Sequence, residues 1–232
     1  MPDKAMVLFS GGVDSTTCLA LAIEKYGLEN VIPLSIRYGQ KQEKEILAAE
    51  SILAHYGIKG VELDLSQVFA YSGCSLLAHS DEAVPESSYA EQLASAGGAP
   101  VSTYVPFRNG LFLSCAASVA LSLGCRRIYY GAHRDDAAGA AYPDCSEDFF
   151  RSMDRAVYEG SGRALRLEAP FIDKNKAQVV AEGLRLGVPY ELTWSCYQGG
   201  ERPCGVCGTC IDRRIAFEAN GVQDPAQTHD YI

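Results

Sequence analysis

The stretch that most constrains this chain is Ser10-Gly11-Gly12-Val13-Asp14-Ser15, which follows the apolar run Ala5-Met6-Val7-Leu8-Phe9. A short apolar run ending in glycines predicts a buried strand that breaks into a loop. Asp14, Ser15 and Thr16 are helix-start residues, and Cys18, Leu19, Leu21, Ala22 and Ile23 continue as an apolar helical face. Strand, glycine loop and helix together let a phosphate reach bare backbone N–H groups at the positive end of a helix. Neither G-x-x-x-x-G-K-S/T nor G-x-G-x-x-G is present. An ordinary turn of this kind needs one glycine and no flanking hydroxyls. Two glycines bracketed by Ser10 and by Asp14-Ser15 therefore favour an anion-binding loop.

The rest of the chain alternates between short apolar runs and helical periods. A first helix is predicted over Asp14 to Tyr26, with Gly27 as its stop. Val31 to Ile36 is a second buried strand that ends in the polar cluster Arg37-Tyr38-Gly39-Gln40, where open α/β sheets hold ligands. Glu43 to Tyr56 is helical and Ile58 to Leu65 is a third strand. Residues 66–104 break the rhythm, as short helices and loops forming a flap over the site. A helix over Gly110 to Leu123 leads to a fourth strand, Arg126 to Gly131, which releases the cluster His133-Arg134-Asp135-Asp136. Ser146 to Glu159 is helical and Leu165 to Ala169 is a fifth strand. Asp173 is expected to cap a last helix that turns Ala177, Val180, Leu184 and Leu186 inward and stops at Gly187. This alternation predicts an open parallel sheet with crossover helices over residues 1–192, followed by a separate segment, 193–232.

With 232 residues, the chain can bury a substantial core. Its formal charge of −9 argues against broad binding to nucleic acid. The N-terminus lacks a basic leader, and no apolar stretch approaches the roughly twenty residues of a membrane span, so a cytoplasmic protein is expected. Nine cysteines without an export signal point to thiols or metal ligands rather than disulfides. Cys18, Cys74, Cys115, Cys125 and Cys145 are expected to be small buried hydrophobes.

Cys196, Cys204, Cys207 and Cys210 are different, spaced C-x7-C-x2-C-x2-C in a segment too polar for a core. Such steps gather thiolates around one point, and Gly205 and Gly208 supply the freedom that the turns need. Tetrahedral zinc suits four thiolates and would clamp the segment. An iron–sulfur cluster is the second reading, although the Cys-Pro continuation is missing. A redox dithiol is the third, without a thioredoxin-like context.

Several stretches then converge. The loop resembles the S-G-G-x-D-S signature of pyrophosphate-loop ATPases, which transfer AMP. With Tyr38-Gly39-Gln40, Tyr104-Val105-Pro106-Phe107-Arg108-Asn109, Tyr142-Pro143-Asp144-Cys145 and Thr193-Trp194-Ser195-Cys196-Tyr197 ahead of the cysteine knuckle, the chain resembles the 7-cyano-7-deazaguanine synthase family from Lys4 to about Asp224. Its five-residue segment 137–141 is longer than the linker associated with that family. The resemblance implies a Rossmann-like α/β fold, a zinc knuckle, a homodimer and a carbon–nitrogen ligase of queuosine biosynthesis. That ligase adenylates 7-carboxy-7-deazaguanine with ATP, admits ammonia, adenylates the amide and releases the nitrile.

On this reading Leu8, Phe9, Ser10, Gly11, Gly12, Val13, Asp14, Ser15 and Thr16, with Tyr38, Gly39 and Gln40, hold ATP. Magnesium follows from the phosphate charge. Ser10, Asp14, Ser15 and Arg108 carry the chemistry, and Arg108, Asn109, Asp144 and Trp194 hold the substrate. Asp14 either orients the loop, meets magnesium or is a simple helix-start carboxylate. Arg108 opens a helix, where a cation opposes the macrodipole, so a bound phosphate or carboxylate would resolve the conflict. Asp144 could accept from a purine-like N–H edge or be a turn aspartate. His133 and Asp135 or Asp136 could position ammonia or metal, or be solvated loop residues. Trp194 and Tyr197 offer rings for stacking or for packing around the knuckle. The rival is a zinc-containing tRNA-modifying enzyme with the same loop, thiolating or lysidine-type, which the acidic charge disfavours.

Overall fold

The structure, a computed structural model, describes residues 3–97 and 99–227. Residues 228–232 of the expected 193–232 segment lie outside the described residues. Five strands, β1 (Lys4–Leu8), β2 (Val31–Arg37), β3 (Val61–Asp64), β4 (Cys125–Tyr129) and β5 (Arg166–Glu168), form one sheet in the order β3-β2-β1-β4-β5. Every pairing is parallel. Parallel neighbours require crossover connections, and helices supply most of them. They are α1 (Val13–Tyr26), α2 (Lys44–Tyr56), α3 (Tyr89–Ala96), α4 (Arg108–Ser122), α5 (Arg134–Ala137), α6 (Glu147–Gly160), α7 (Lys176–Arg185) and α8 (Gly208–Ala219).

β1 shows why both faces are covered. Its side chains alternate, so Ala5 and Val7 pack with Cys18 and Leu19 of α1, Ile52 of α2 and Val179 of α7. Met6 turns the other way, to Leu113 and Ala116 of α4, Ile128 of β4 and Val157 of α6. The strands are added in one direction from β1 to β3 and in the other from β1 to β5, so the C-terminal ends of β1 and β4 open a crevice at this switch in strand order.

Several expected boundaries move. The third strand is confined to Val61–Asp64, and Ile58 instead closes helix α2 by donating its N–H to the Leu53 carbonyl at 3.0 Å. The helix after β5 is capped by Asn175, not Asp173: the Asn175 side chain accepts from the Gln178 N–H at 2.9 Å, and the Gln178 side chain accepts the Asn175 N–H in return. Of the expected inward residues, Val180 is buried and Ala177 and Leu186 pack beside it, whereas Leu184 is 41% exposed and Val179 and Gly183 complete the buried face. Of the five cysteines outside the knuckle, Cys115 alone is only half-buried.

The expected flap contains α3, opened by a capping box in which Ser88 and Glu91 bond reciprocally. The long linker at 137–141 packs against it, since a Cβ on Gly139 would come within 2.8 Å of Leu93. The polar tail finds order through a second device besides its thiols. Arg213, 4% exposed, pairs with both carboxylate oxygens of Asp224 at 2.8 and 2.9 Å and donates to the Tyr190 carbonyl.

α7 approaches α1 closely at Gly183, where a Cβ would sit 1.8 Å from Tyr190 Oη and 2.8 Å from Thr17 Oγ1. Gly183→Ala should therefore cost about 1–3 kcal/mol by overpacking, read as a lower urea midpoint. Adding Tyr190→Phe removes the nearest atom and should return part of the loss.

Candidate functional site: a cleft at the strand switch point

The loop after β1 is tied to itself by hydroxyls. The Ser10 N–H donates to Ser15 Oγ at 3.2 Å, the two serine Oγ atoms are 3.1 Å apart, and Thr16 Oγ1 donates to the Gly12 carbonyl at 2.7 Å. Gly11 is at φ +82°, and a Cβ there would lie 2.6 Å from the Ala49 nitrogen and 2.8 Å from the Glu45 carbonyl. Only glycine lets the loop pass this close to α2. The Gly11 carbonyl also accepts the Trp194 N–H at 3.0 Å, which joins the loop to the knuckle segment.

Leu8, Phe9, Ser10, Gly12, Val13, Asp14 and Ser15 line a cavity of about 350 Å³ that Tyr38, Gln40, Arg108, Asn109, Asp144 and Trp194 share. Gly11, Thr16 and Gly39 adjoin these residues in the chain without lining the cavity. The residues expected for nucleotide and for substrate therefore meet in one cleft, although they are separated in sequence.

Arg108 is the first residue of α4, and Phe107 before it holds the left-handed conformation at φ 56°. That corner is braced by the Phe107 N–H donating to Tyr104 Oη at 2.9 Å. The Arg108 guanidinium donates to Tyr38 Oη at 3.0 Å and lies 5.0 Å from the centre of that ring. Asp144, 4% exposed, accepts the Asn109 N–H at 2.9 Å, so it satisfies one open donor of the α4 N-terminus. Burial raises the Asp144 carboxyl, with the Asn109 bond and Arg108 pulling the other way. Cys145 beside it is buried and accepts from Asn109 Nδ2 at 3.2 Å.

Trp194 is 1% exposed and packs among Ala48, Cys196, Cys207 and Cys210, while its Nε1–H donates to the Cys196 carbonyl at 2.8 Å. Its ring is thus committed to the knuckle rather than offered as an open stacking face. Tyr197 and Tyr89 of the flap join hydroxyls at 3.1 Å above the cleft.

The side chains of two cleft residues were not singled out by sequence. Lys176, first residue of α7, reaches Asp14 Oδ2 across the cleft in an ion pair. Burial alone would raise the Asp14 carboxyl, but the Lys176 ammonium, with His133 beside it, holds it below the ordinary carboxylate value. The same reasoning that marks Arg108 applies to Lys176, because a cation in the first turn of a helix is locally unfavourable. Glu45, the second residue of α2, gave no such signal, since a carboxylate in a first turn is ordinary. Burial pushes its carboxyl up to about 7, against the pull of Arg108.

The four knuckle thiols lie within 4.8 Å of one another. The Cys204 N–H donates to Cys196 Sγ and the Cys207 N–H to Cys204 Sγ, both at 3.3 Å. Tetrahedral zinc with sulfurs at about 2.3 Å separates them by about 3.8 Å; Cys204 Sγ and Cys210 Sγ are 4.0 Å apart. The donor set and spacing fit a metal such as zinc.

Sheet order, switch-point cleft and appended thiol knuckle define a Rossmann-like α/β protein. The NMN synthetase of Francisella tularensis resembles it in fold, with a TM-score of 0.51 over 96% of this chain and 79% of that one at 17% identity. Sequence narrows the class. Residues 4–221 match the family model described as Queuosine biosynthesis protein QueC. A 7-cyano-7-deazaguanine synthase from Archaeoglobus fulgidus is 42% identical, covering 96% of this chain and 89% of its own. Another from Caldicellulosiruptor bescii is 41% identical over 97% and 96%. The chain belongs to the QueC family of queuosine biosynthesis proteins, and it is an enzyme. Among the described residues no helix is long and apolar enough to cross a membrane.

The raised Glu45 carboxyl makes stability depend on pH. The unfolded chain loses this proton near pH 4.5 and the folded one near 7, so the folded state binds more protons between those values and wild-type stability falls as pH rises through the window. Glu45→Gln should remove that fall. Its advantage in denaturant unfolding should be absent at the acid end and grow to about 2 kcal/mol above neutrality, after discounting for partial exposure.

Proposed function

We propose that this chain is an ATP-dependent ligase that converts 7-carboxy-7-deazaguanine and ammonia to 7-cyano-7-deazaguanine. The observation that carries the reading is the single cleft that the glycine loop shares with Arg108, Asn109 and Asp144. An activating phosphate and a carboxylate must meet there for AMP transfer.

In this reading the N–H groups of Gly11, Gly12 and Val13 and the hydroxyls of Ser10 and Ser15 cradle the β- and γ-phosphates, while magnesium offsets their charge. Tyr38 and Gln40 border the nucleotide. Arg108 holds the substrate carboxylate, whose oxygen attacks the α-phosphorus as pyrophosphate leaves. Ammonia then adds to the acyl carbon, and AMP departs to leave the amide. A second ATP adenylates the amide oxygen. Loss of AMP and of both amide protons forms the nitrile. Asp144 accepts from the N–H edge of the deazapurine through the oxygen that Asn109 does not occupy. The cysteines hold one structural zinc ion, which takes no part in the bond changes.

Incubation with the acid, ammonium, ATP and magnesium should release AMP and yield the nitrile; AMP without nitrile would restrict the chain to a broader class. Arg108→Ala should lose turnover by about 100-fold or more while keeping the fold and metal, because a charge-assisted bidentate contact is gone. Near-normal activity of that variant sinks its assigned role. Metal analysis should find zinc, and its chelation should lower the melting midpoint by about 5 °C or more. Iron with a visible absorbance band would overturn the zinc assignment.

A further inference from the structure

One corner of the cleft holds buried groups that the proposed adenylation does not use. His133 is 3% exposed, and its Nδ1 has no hydrogen-bond partner. Its Nε2 faces two carboxylates, Asp136 Oδ1 at 3.4 Å and Asp14 Oδ1 at 3.8 Å. Asp14 Oδ1 is itself buried and unpartnered, since Lys176 occupies the other oxygen. His133, Asp136, Asp14, Lys176 and Asp212 all line the cavity, so three carboxylates face one ammonium side chain.

The backbone fixes this corner. His133 bridges to Phe171 in parallel fashion, the Asp136 N–H donates to the His133 carbonyl at 3.2 Å, and the Tyr142 N–H donates to the Asp136 carbonyl at 3.1 Å. Asp136 thus stands between the phosphate loop and the Asp144 side of the cleft. Its charge adds to burial in raising the carboxyl of Asp144 and the thiol of Cys145.

We propose that Asp136 and His133, with Asp14 Oδ1 facing them, form a subsite that binds ammonium and takes its proton, delivering ammonia to the acyl adenylate. The inference rests on the ligase reading and names the site of its second substrate. Ammonium is the prevalent form at neutral pH and has no lone pair with which to attack. An N–H bond breaks, its proton passes to the Asp136 carboxylate, and the freed pair forms the C–N bond. The C–O bond to AMP then breaks with its electron pair leaving on the phosphate, and a second proton leaves the nitrogen for solvent water. Burial raises the Asp136 carboxyl above its ordinary value, which makes the carboxylate a stronger acceptor.

Three rates measured on the full-length protein separate the possibilities: acid-dependent ATP–pyrophosphate exchange without ammonium, kcat/KM for ammonium, and kcat/KM for hydroxylamine, which is largely unprotonated at neutral pH. Asp136→Asn should keep exchange within about threefold and lower kcat/KM for ammonium by about 100-fold, while hydroxylamine turnover falls far less. His133→Gln should show the same pattern at smaller amplitude and serves if Asp136→Asn does not fold. Ammonium and hydroxylamine falling together would overturn the proposal, as would a collapse of exchange, which would assign the corner to magnesium and phosphate. Absence of exchange in the wild type is a separate result. It would overturn the ligase reading and this inference with it.

Discussion

The site depends on how closely the loop after β1 can approach its neighbours at Gly11. With no Cβ and a positive φ, this residue lies against the α2 backbone near Ala49 and Glu45 and accepts the Trp194 N–H. One residue therefore joins the central strand, the helix behind the second strand and the start of the cysteine segment. A side chain there would push α2 and the knuckle away from β1 and widen the cleft between them. The Ser10–Ser15 bonds and the Thr16 hydroxyl on the Gly12 carbonyl then set the shape of a loop whose position is already decided.

The cleft's electrostatics follow from two cations at helix N-termini. Arg108 opens α4 and Lys176 opens α7, each at the end of a helix that repels it. Arg108 is stabilised by the Tyr38 hydroxyl and ring, and Lys176 by Asp14. These arrangements are costly if nothing binds, because the groups are half-buried and the two helix termini gain nothing from them. A polyanion in the cleft would meet both cations and two helix dipoles at once, which favours anionic ligands in a chain of net charge −9.

The alternation of strands and helices was legible because β1 and β2 are largely apolar runs and α1 and α2 end at clear stop glycines. Strand order was not, since nothing local to β4 says that it lies on the far side of β1. The loop, Arg108 and the cysteines were legible because each breaks a local rule: paired glycines, a cation at a helix start, thiols at knuckle spacing. Lys176 breaks the same rule as Arg108, but the misassigned Asp173 cap hid it from view by starting α7 two residues early. Glu45 breaks no rule in sequence; only the fold, by bringing α2 against the loop, buries its carboxyl. Trp194 was legible as an aromatic near the knuckle, yet whether its ring faces ligand or thiols depends on packing that spacing does not encode.

The knuckle's place in the fold explains why such a polar tail belongs to the cleft. Trp194 is held between the Gly11 carbonyl and the Cys196 carbonyl, and Tyr197 on the far side of Cys196 reaches the flap through Tyr89. The segment between them has little apolar surface of its own, so its geometry is set by the thiol cluster and by the buried Arg213–Asp224 pair. A metal bound by those thiols would add its binding free energy to the folded state alone. Part of that stabilisation would reach the loop through Gly11 and the flap through Tyr197. The same covalently short path, Trp194 to Tyr197, thereby couples order at the thiols to the shape of the cleft some residues away, with no need for the metal to touch the substrate.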